Sequence, residues 1–222
     1  MILAVAGGKG GVGKSTLAFE LAAALDGLLV DADLGMADLP TGRGPDLHDV
    51  LAGRADPREA VRDGPVRILP CGRSLAGARA ADVARMGDAL DALDRPDETL
   101  VVDCPAGMRA DAGVPLALAD ACVLVASPRR FALADAVRTR ELARELDAGL
   151  VAVAVNRTVD EPPLEAFERT LGAPATAVPA DPRLGRAVST GRPVVRTAPS
   201  SAGGSAVRSI ADAVRRARPG RA

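Results

Sequence analysis

The chain has no tryptophan, no tyrosine and only three phenylalanines, Phe19, Phe131 and Phe167. Single-stranded nucleic acids are held largely by stacking bases on aromatic rings, so this chain is poorly equipped for them. Cysteine is also scarce. Cys71, Cys104 and Cys122 are an odd set without a C-x-x-C spacing, which predicts neither a disulfide framework nor a zinc or iron–sulfur site and points to a reduced, cytoplasmic compartment. The one histidine, His48 in DLHDVLAG, has no second histidine for a metal site and is expected on the solvated surface. No apolar run approaches the roughly 20 residues of a membrane span, and the opening MILAVAGG lacks the basic region of a secretion signal. The sharpest scarcity is lysine. Of 28 lysines and arginines only Lys9 and Lys14 are lysines, and both lie in one glycine-rich loop.

With 222 residues, 48% of them hydrophobic and 26% charged, the chain reads as one globular domain spanning 1–222. Short apolar, β-branched runs at 2–6, 28–30, 66–69, 100–102, 122–126, 150–155 and 175–178 predict strands. Helical patterns are expected at 15–25, 78–93, 131–146, 164–171 and 206–217. Strands apolar on both faces and alternating with helices imply an α/β fold with a mostly parallel sheet covered on both sides. Such sheets bind ligands beyond the carboxyl ends of their strands.

Residues 7–16 read GGKGGVGKST, in which Gly8, Gly13, Lys14 and Ser15 match G-x-x-x-x-G-K-S. Glycine reaches the positive φ angles with which successive N–H groups curl around a phosphate, and the next helix aims its N-terminus at the same anion. Lys14 is then expected on the β- and γ-phosphates, and the Ser15 hydroxyl on Mg²⁺. The strand before this loop and the helix after it argue against a chance glycine-rich turn. Asp31 and Asp33 in LLVDADLG and Asp103 in LVVDCPAG close two later strands at the same sheet edge. A regular strand would send Asp31 and Asp33 to opposite faces. A carboxylate at such an edge suits Mg²⁺ held through water.

With its second lysine, KGGVGKS resembles the deviant Walker A motif of the MinD/ParA family of P-loop ATPases. The resemblance implies a three-layer P-loop NTPase fold binding ATP and Mg²⁺, with slow, partner-stimulated hydrolysis and an ATP-bound homodimer used in spatial positioning. Lys14 would act in catalysis, and Lys9 would reach the nucleotide of the partner subunit and stabilise its phosphoryl charge. Gly8, Lys9, Gly10, Gly11, Val12, Gly13, Lys14, Ser15 and Thr16 would bind the phosphates. Asp33 would orient the attacking water. Asp33 and Asp103, through water, and Ser15 would hold Mg²⁺. DCPAG is similar to the DSPAG of MinD-type members, where a packing role for Cys104 is favoured over a reactive thiol. Asn156, Pro179 and Asp181 match segments that read adenine.

Asp38 and Arg109 depart from the residues usual in relatives at two regulatory segments. The last helix resembles a closing core helix, so a membrane-targeting tail is not expected. From residue 182 onward there are nine arginines and a single acid, Asp212, although the whole chain carries a formal charge of −1. This excess is either a solvated face or a patch for duplex DNA. A cargo or regulatory protein partner is expected, and a metabolic P-loop enzyme of the same fold is a further alternative.

Overall fold

A computed structural model describes residues 1–35, 39–40, 42–107, 110–129 and 131–218. Seven strands, β1 (Ile2–Ala6), β2 (Leu28–Asp31), β3 (Arg67–Leu69), β4 (Leu100–Asp103), β5 (Ala121–Ala126), β6 (Gly149–Thr158) and β7 (Ala175–Pro179), form one sheet ordered β3-β2-β4-β1-β5-β6-β7. Every strand pairing in it is parallel. The helices are α1 (Lys14–Leu25), α2 (Leu47–Leu51), α3 (Leu75–Ala80), α4 (Met86–Leu93), α5 (Ala110–Ala117), α6 (Ala132–Glu145), α7 (Leu164–Leu171), α8 (Pro182–Thr190), α9 (Val194–Thr197) and α10 (Ala202–Ala217).

The period-two alternation of the strands sorts side chains into two main cores. On one face Leu3 and Val5 pack with Leu17 and Leu21 of α1 and with Val207, Ile210 and Val214 of α10. On the other, Ile2 and Ala4 pack with Leu47 and Leu51 of α2 and Leu90 of α4. The result is a helix–sheet–helix sandwich, the α/β P-loop arrangement expected. Gly27 lets α1 turn directly into β2, since a Cβ there would collide with the Thr99 carbonyl. Among the described residues no helix is long and apolar enough to cross a membrane.

Three expectations need correction. The helix expected at 78–93 is broken: Ala81 and Asp82 are extended, and the Asp82 carboxylate accepts from Ala84 N at 3.1 Å, starting a short 3-10 turn before α4. An aspartate that can satisfy backbone donors competes with helix continuation there. The last helix starts four residues earlier than expected. Ser201 starts it by accepting from Gly204 N at 3.1 Å, so Gly203 and Gly204 lie in its first turn, where a side chain at Gly204 would meet the Ala198 carbonyl at 2.6 Å. His48 is not on the solvated surface; it is 3% exposed, because its helix docks end-on to the segment after β3 through Leu47 N–Pro70 O at 2.8 Å and His48 N–Cys71 O at 3.1 Å.

Candidate active site

The glycine-rich loop leaves β1 at Ala6 and enters α1 at Lys14, with Gly11 and Gly13 at φ 75° and 97°. Both angles lie in the left-handed region that the curl requires. Lys14 is 6% exposed, while Ser15 and Thr16 are half-buried at the helix N-terminus. A cleft of ≈ 530 Å³ runs along the loop between Lys14, Ser15 and Thr16 on one side and Leu39, Arg73 and Arg157 on the other.

Asn156 lies buried near the carboxyl end of β6 and serves the loop directly. Its Nδ2 donates to Val12 O at 2.8 Å, its Oδ1 accepts from Arg157 N at 3.0 Å, and it sits where a side chain at Gly13 would have to go. Pro179 closes β7, and Asp181 caps α8 by accepting from Arg183 N at 2.8 Å. The Arg183 guanidinium beside it holds the Asp181 carboxyl below the usual range. Asn156, Pro179 and Asp181 line one ≈ 270 Å³ cleft with Gly13 and Thr16. The three residues expected at a base are thus brought together beside the phosphate loop.

The carboxylates lie at the carboxyl edge of the sheet. β2 and β4 pair in register so that Asp31 lies opposite Asp103, with exposures of 0% and 1%. Burial pushes the Asp31 carboxyl up to about 8, with the neighbouring Asp103 charge adding to it. Past Asp31 the strand turns: Ala32 N donates to Asp103 O at 3.0 Å and Leu34 N to Ala32 O at 3.0 Å. The regular alternation that would separate Asp31 from Asp33 stops here, and Asp33 N donates to Asp31 Oδ1 at 3.3 Å.

Oxygen donors dominate this edge, and the buried Asp31 Oδ2 has no hydrogen-bond partner. A hard divalent cation fits such a pair of facing carboxyls, since its charge would favour the ionised form that burial disfavours. Among the described residues no three His, Cys, Asp or Glu side chains converge into a complete metal cage. Oxygen ligands from carboxyls suit Mg²⁺, which also keeps waters and takes oxygens from phosphates.

Lys9 differs from Lys14 in every respect. Its side chain is 65% exposed, and Nζ lies 2.9 Å from Asp135 Oδ2 near the start of α6. Asp135 also pairs with Arg138 at 3.0 Å. Gly8 is required beside this pair, since a Cβ there would approach Asp135 Cβ to 2.8 Å. Gly8, Lys9, Gly10, Gly11 and Val12 line a third cleft, of ≈ 370 Å³, with Phe131, 84% exposed, on its rim.

Arg157 was not anticipated. Among the described residues it is one of three non-glycine residues at positive φ, at 63°, and it borders all three clefts around the loop. Backbone strain of this kind gathers at functional sites. Only the N-R pair after an apolar strand marks it in the sequence. Cys104 is 1% exposed and its thiol is pushed well above its ordinary value by burial, so it packs. Asp38, Arg109 and Arg221 lie outside the described residues.

The arginine excess after residue 182 has a structural component. Arg196 donates to Ala23 O at 3.1 Å and Pro65 O at 2.6 Å and pairs with Asp26 at 2.6 Å, while Arg215 donates to Ala24 O and pairs with Asp212 at 2.7 Å. Cations on the last carbonyls of α1 also complement its helix dipole. Arg218 binds Glu98 O at 3.0 Å. Arg186, Arg192, Arg208 and Arg216 remain exposed.

The CobQ/CobB/MinD/ParA nucleotide-binding domain family matches residues 3–194. An uncharacterized ATP-binding protein of Methanocaldococcus jannaschii is 33% identical over 225 aligned positions, covering 94% of this chain and 85% of that protein. Among solved structures, the cell division ATPase MinD of Pyrococcus furiosus superposes with a TM-score of 0.88 at 28% identity, covering 97% of this chain and 98% of that one. The septum site-determining protein MinD of Pyrococcus horikoshii, complexed with Mg-ADP, gives 0.87 at 28% identity, covering 96% and 95%.

Proposed function

Because the chain belongs to the CobQ/CobB/MinD/ParA nucleotide-binding family, we propose that it is an ATP-dependent, dimerising ATPase switch of the MinD/ParA type that serves spatial positioning. The observation that carries this reading is the contrast between the two lysines, one 6% exposed inside the loop and one 65% exposed at its rim. A buried Lys14 serves the phosphates of its own loop. An exposed Lys9 would meet a phosphate brought by a second copy, exchanging the Asp135 carboxylate for it.

In this reading the loop amides from Gly8 to Thr16 and the Lys14 ammonium bind the phosphates. The Ser15 hydroxyl, with Asp33 and Asp103 acting through water, holds Mg²⁺, which neutralises charge on the transferring phosphoryl group. Asp33 orients the attacking water, and Asn156, Pro179 and Asp181 border the base. Hydrolysis removes the γ-phosphate that Lys9 reaches for, so the dimer comes apart. The nucleotide thereby sets a monomer–dimer population that a partner protein reads. Residues 1–222 act as one ATPase domain, and the three buried thiols suit a reducing, cytoplasmic setting. A duplex-DNA partner would be gripped by Arg186, Arg192, Arg208 and Arg216, the exposed remainder of the arginine excess.

Light scattering after size exclusion, with ADP and with a non-hydrolysable ATP analogue, tests the switch. The analogue is expected to double the mass of the wild-type protein and to leave Lys9→Ala monomeric, with nucleotide affinity changed by less than about tenfold. A Lys9→Ala protein that dimerises and hydrolyses normally would refute the role of Lys9 in trans.

A further inference from the structure

Asp33 is the half-buried carboxylate assigned above to the attacking water, and two buried side chains bind the backbone that carries it. The Cys71 thiol donates to Asp33 O at 3.2 Å. His48 Nε2 lies 3.2 Å from Leu34 O and 3.4 Å from Cys71 Sγ. A carbonyl can only accept, so Nε2 carries the imidazole proton and Nδ1 is left as a buried atom without a hydrogen-bond partner. Two consecutive carbonyls are therefore held from one side by a histidine–cysteine pair. The Asp31 carboxylate holds the Asp33 amide from the other, at 3.3 Å.

The space for this pair is built in. Gly72 adopts φ +108°, and a Cβ on it would come within 2.7 Å of His48 Nδ1. A Cβ on Gly77 would come within 3.0 Å of the same nitrogen. His48 and Cys71 are themselves joined through His48 N–Cys71 O at 3.1 Å. Helix α2, the segment after β3 and residues 33–34 thus form one hydrogen-bonded unit, made of donors chosen to fit backbone acceptors.

We propose that His48 and Cys71 are positioning residues for hydrolysis: they fix the backbone at 33–34 and thereby hold the Asp33 carboxylate where it works. This rests on the role given to Asp33. Neither side chain lines any of the three clefts around the phosphate loop. Their loss slows turnover by letting Asp33 wander and leaves the phosphate loop as it was. Groups that orient a reacting ligand in this way typically contribute about 10–100-fold.

The test uses the full chain with His48→Leu, Cys71→Ala and Cys71→Ser. Amide hydrogen exchange across residues 33–35, ATP turnover and affinity for a fluorescent ATP analogue are measured on each. His48→Leu and Cys71→Ala are expected to speed exchange at 33–35 and to lower kcat by about tenfold, with nucleotide affinity within about twofold of wild type. Cys71→Ser keeps a donor for Asp33 O and is expected to restore most of the rate.

Unchanged exchange at 33–35 overturns the brace, whether or not the protein hydrolyses ATP. Faster exchange with unchanged kcat overturns its catalytic consequence, as does a fall in affinity equal to the fall in kcat, which marks general damage. If His48→Leu does not fold, the serine–alanine contrast at Cys71 decides alone: equal rates for the two overturn the proposal. A wild-type chain that binds but does not turn over ATP refutes the role of Asp33 and the positioning role with it, while the exchange measurement still judges the brace.

Discussion

Glu20 lies on α1 one turn beyond the phosphate loop, with 0% exposure. Its Oε1 accepts from Val194 N at 2.7 Å and its Oε2 from Val195 N at 2.9 Å, so one carboxylate caps the start of α9 and fastens it to the nucleotide-binding helix. Replacing it with alanine leaves two buried donors unmatched at about 1–3 kcal/mol each, less the relief of no longer burying a carboxylate. A net loss of about 3 kcal/mol follows, or a fall in Tm of about 6–12 °C for a chain of this length. Glu20→Gln keeps one acceptor but turns an NH₂ toward the second N–H, and is expected to lose about half as much. Burial pushes the Glu20 carboxyl above its ordinary value, outweighing the two backbone hydrogen bonds, with Asp181 adding to the rise. The native state therefore holds this proton more tightly than the unfolded state does, and stability from Glu20 falls as pH rises from the unfolded pKa through the folded one. Denaturant unfolding of wild type and Glu20→Gln at pH 5 and pH 7 should show the wild-type advantage shrinking at the higher pH. An advantage that grows with pH would mean that the hydrogen bonds outweigh desolvation and would refute this account.

Two further outcomes are expected. Arg157 is strained at φ 63°, so Arg157→Gly should be about 1 kcal/mol more stable than Arg157→Ala in urea titrations, while both bind ATP more weakly than wild type because both lose the guanidinium beside the clefts; equal stability of the two would remove the strain. Arg196→Ala strips two carbonyls and Asp26 of their donor and should cost about 1–2 kcal/mol, whereas replacing Arg186, Arg192, Arg208 and Arg216 together with serine should leave Tm nearly unchanged and remove any salt-sensitive, ATP-dependent shift of duplex DNA. A DNA shift surviving that fourfold change would dissociate the arginine excess from DNA.

What could be read in the sequence divides by the range of the contact that decides each feature. The phosphate loop was legible because its chemistry is local: the glycines that curl the backbone, the lysine and the serine lie within nine residues, and the strand before them and the helix after them adjoin the loop in sequence. The strands were legible because β1, β2, β4 and β5 are buried on both faces and the others are apolar over most of their length, and a run of apolar residues records that directly. The helix broken at Asp82 and the helix extended through Gly203 and Gly204 differ from the pattern because the deciding contacts, an aspartate turning onto Ala84 N and the Ser201 hydroxyl capping Gly204 N, are invisible to apolar periodicity. The burial of His48 has a different, long-range cause, since it depends on contact with a residue 23 positions away. The arginines show the limit from the other side. Their number after residue 182 is plain in the sequence, but Arg196 and Arg215 bind carbonyls 173 and 191 residues distant. A count of charge cannot separate cations consumed by the fold from cations left for a partner. Local spacing therefore encodes what the site can bind, whereas the groups that aim Asp33, fasten α9 and hold Lys9 are set by distant contacts. Substitutions among the latter should alter the timing of the switch before they alter its affinity for nucleotide.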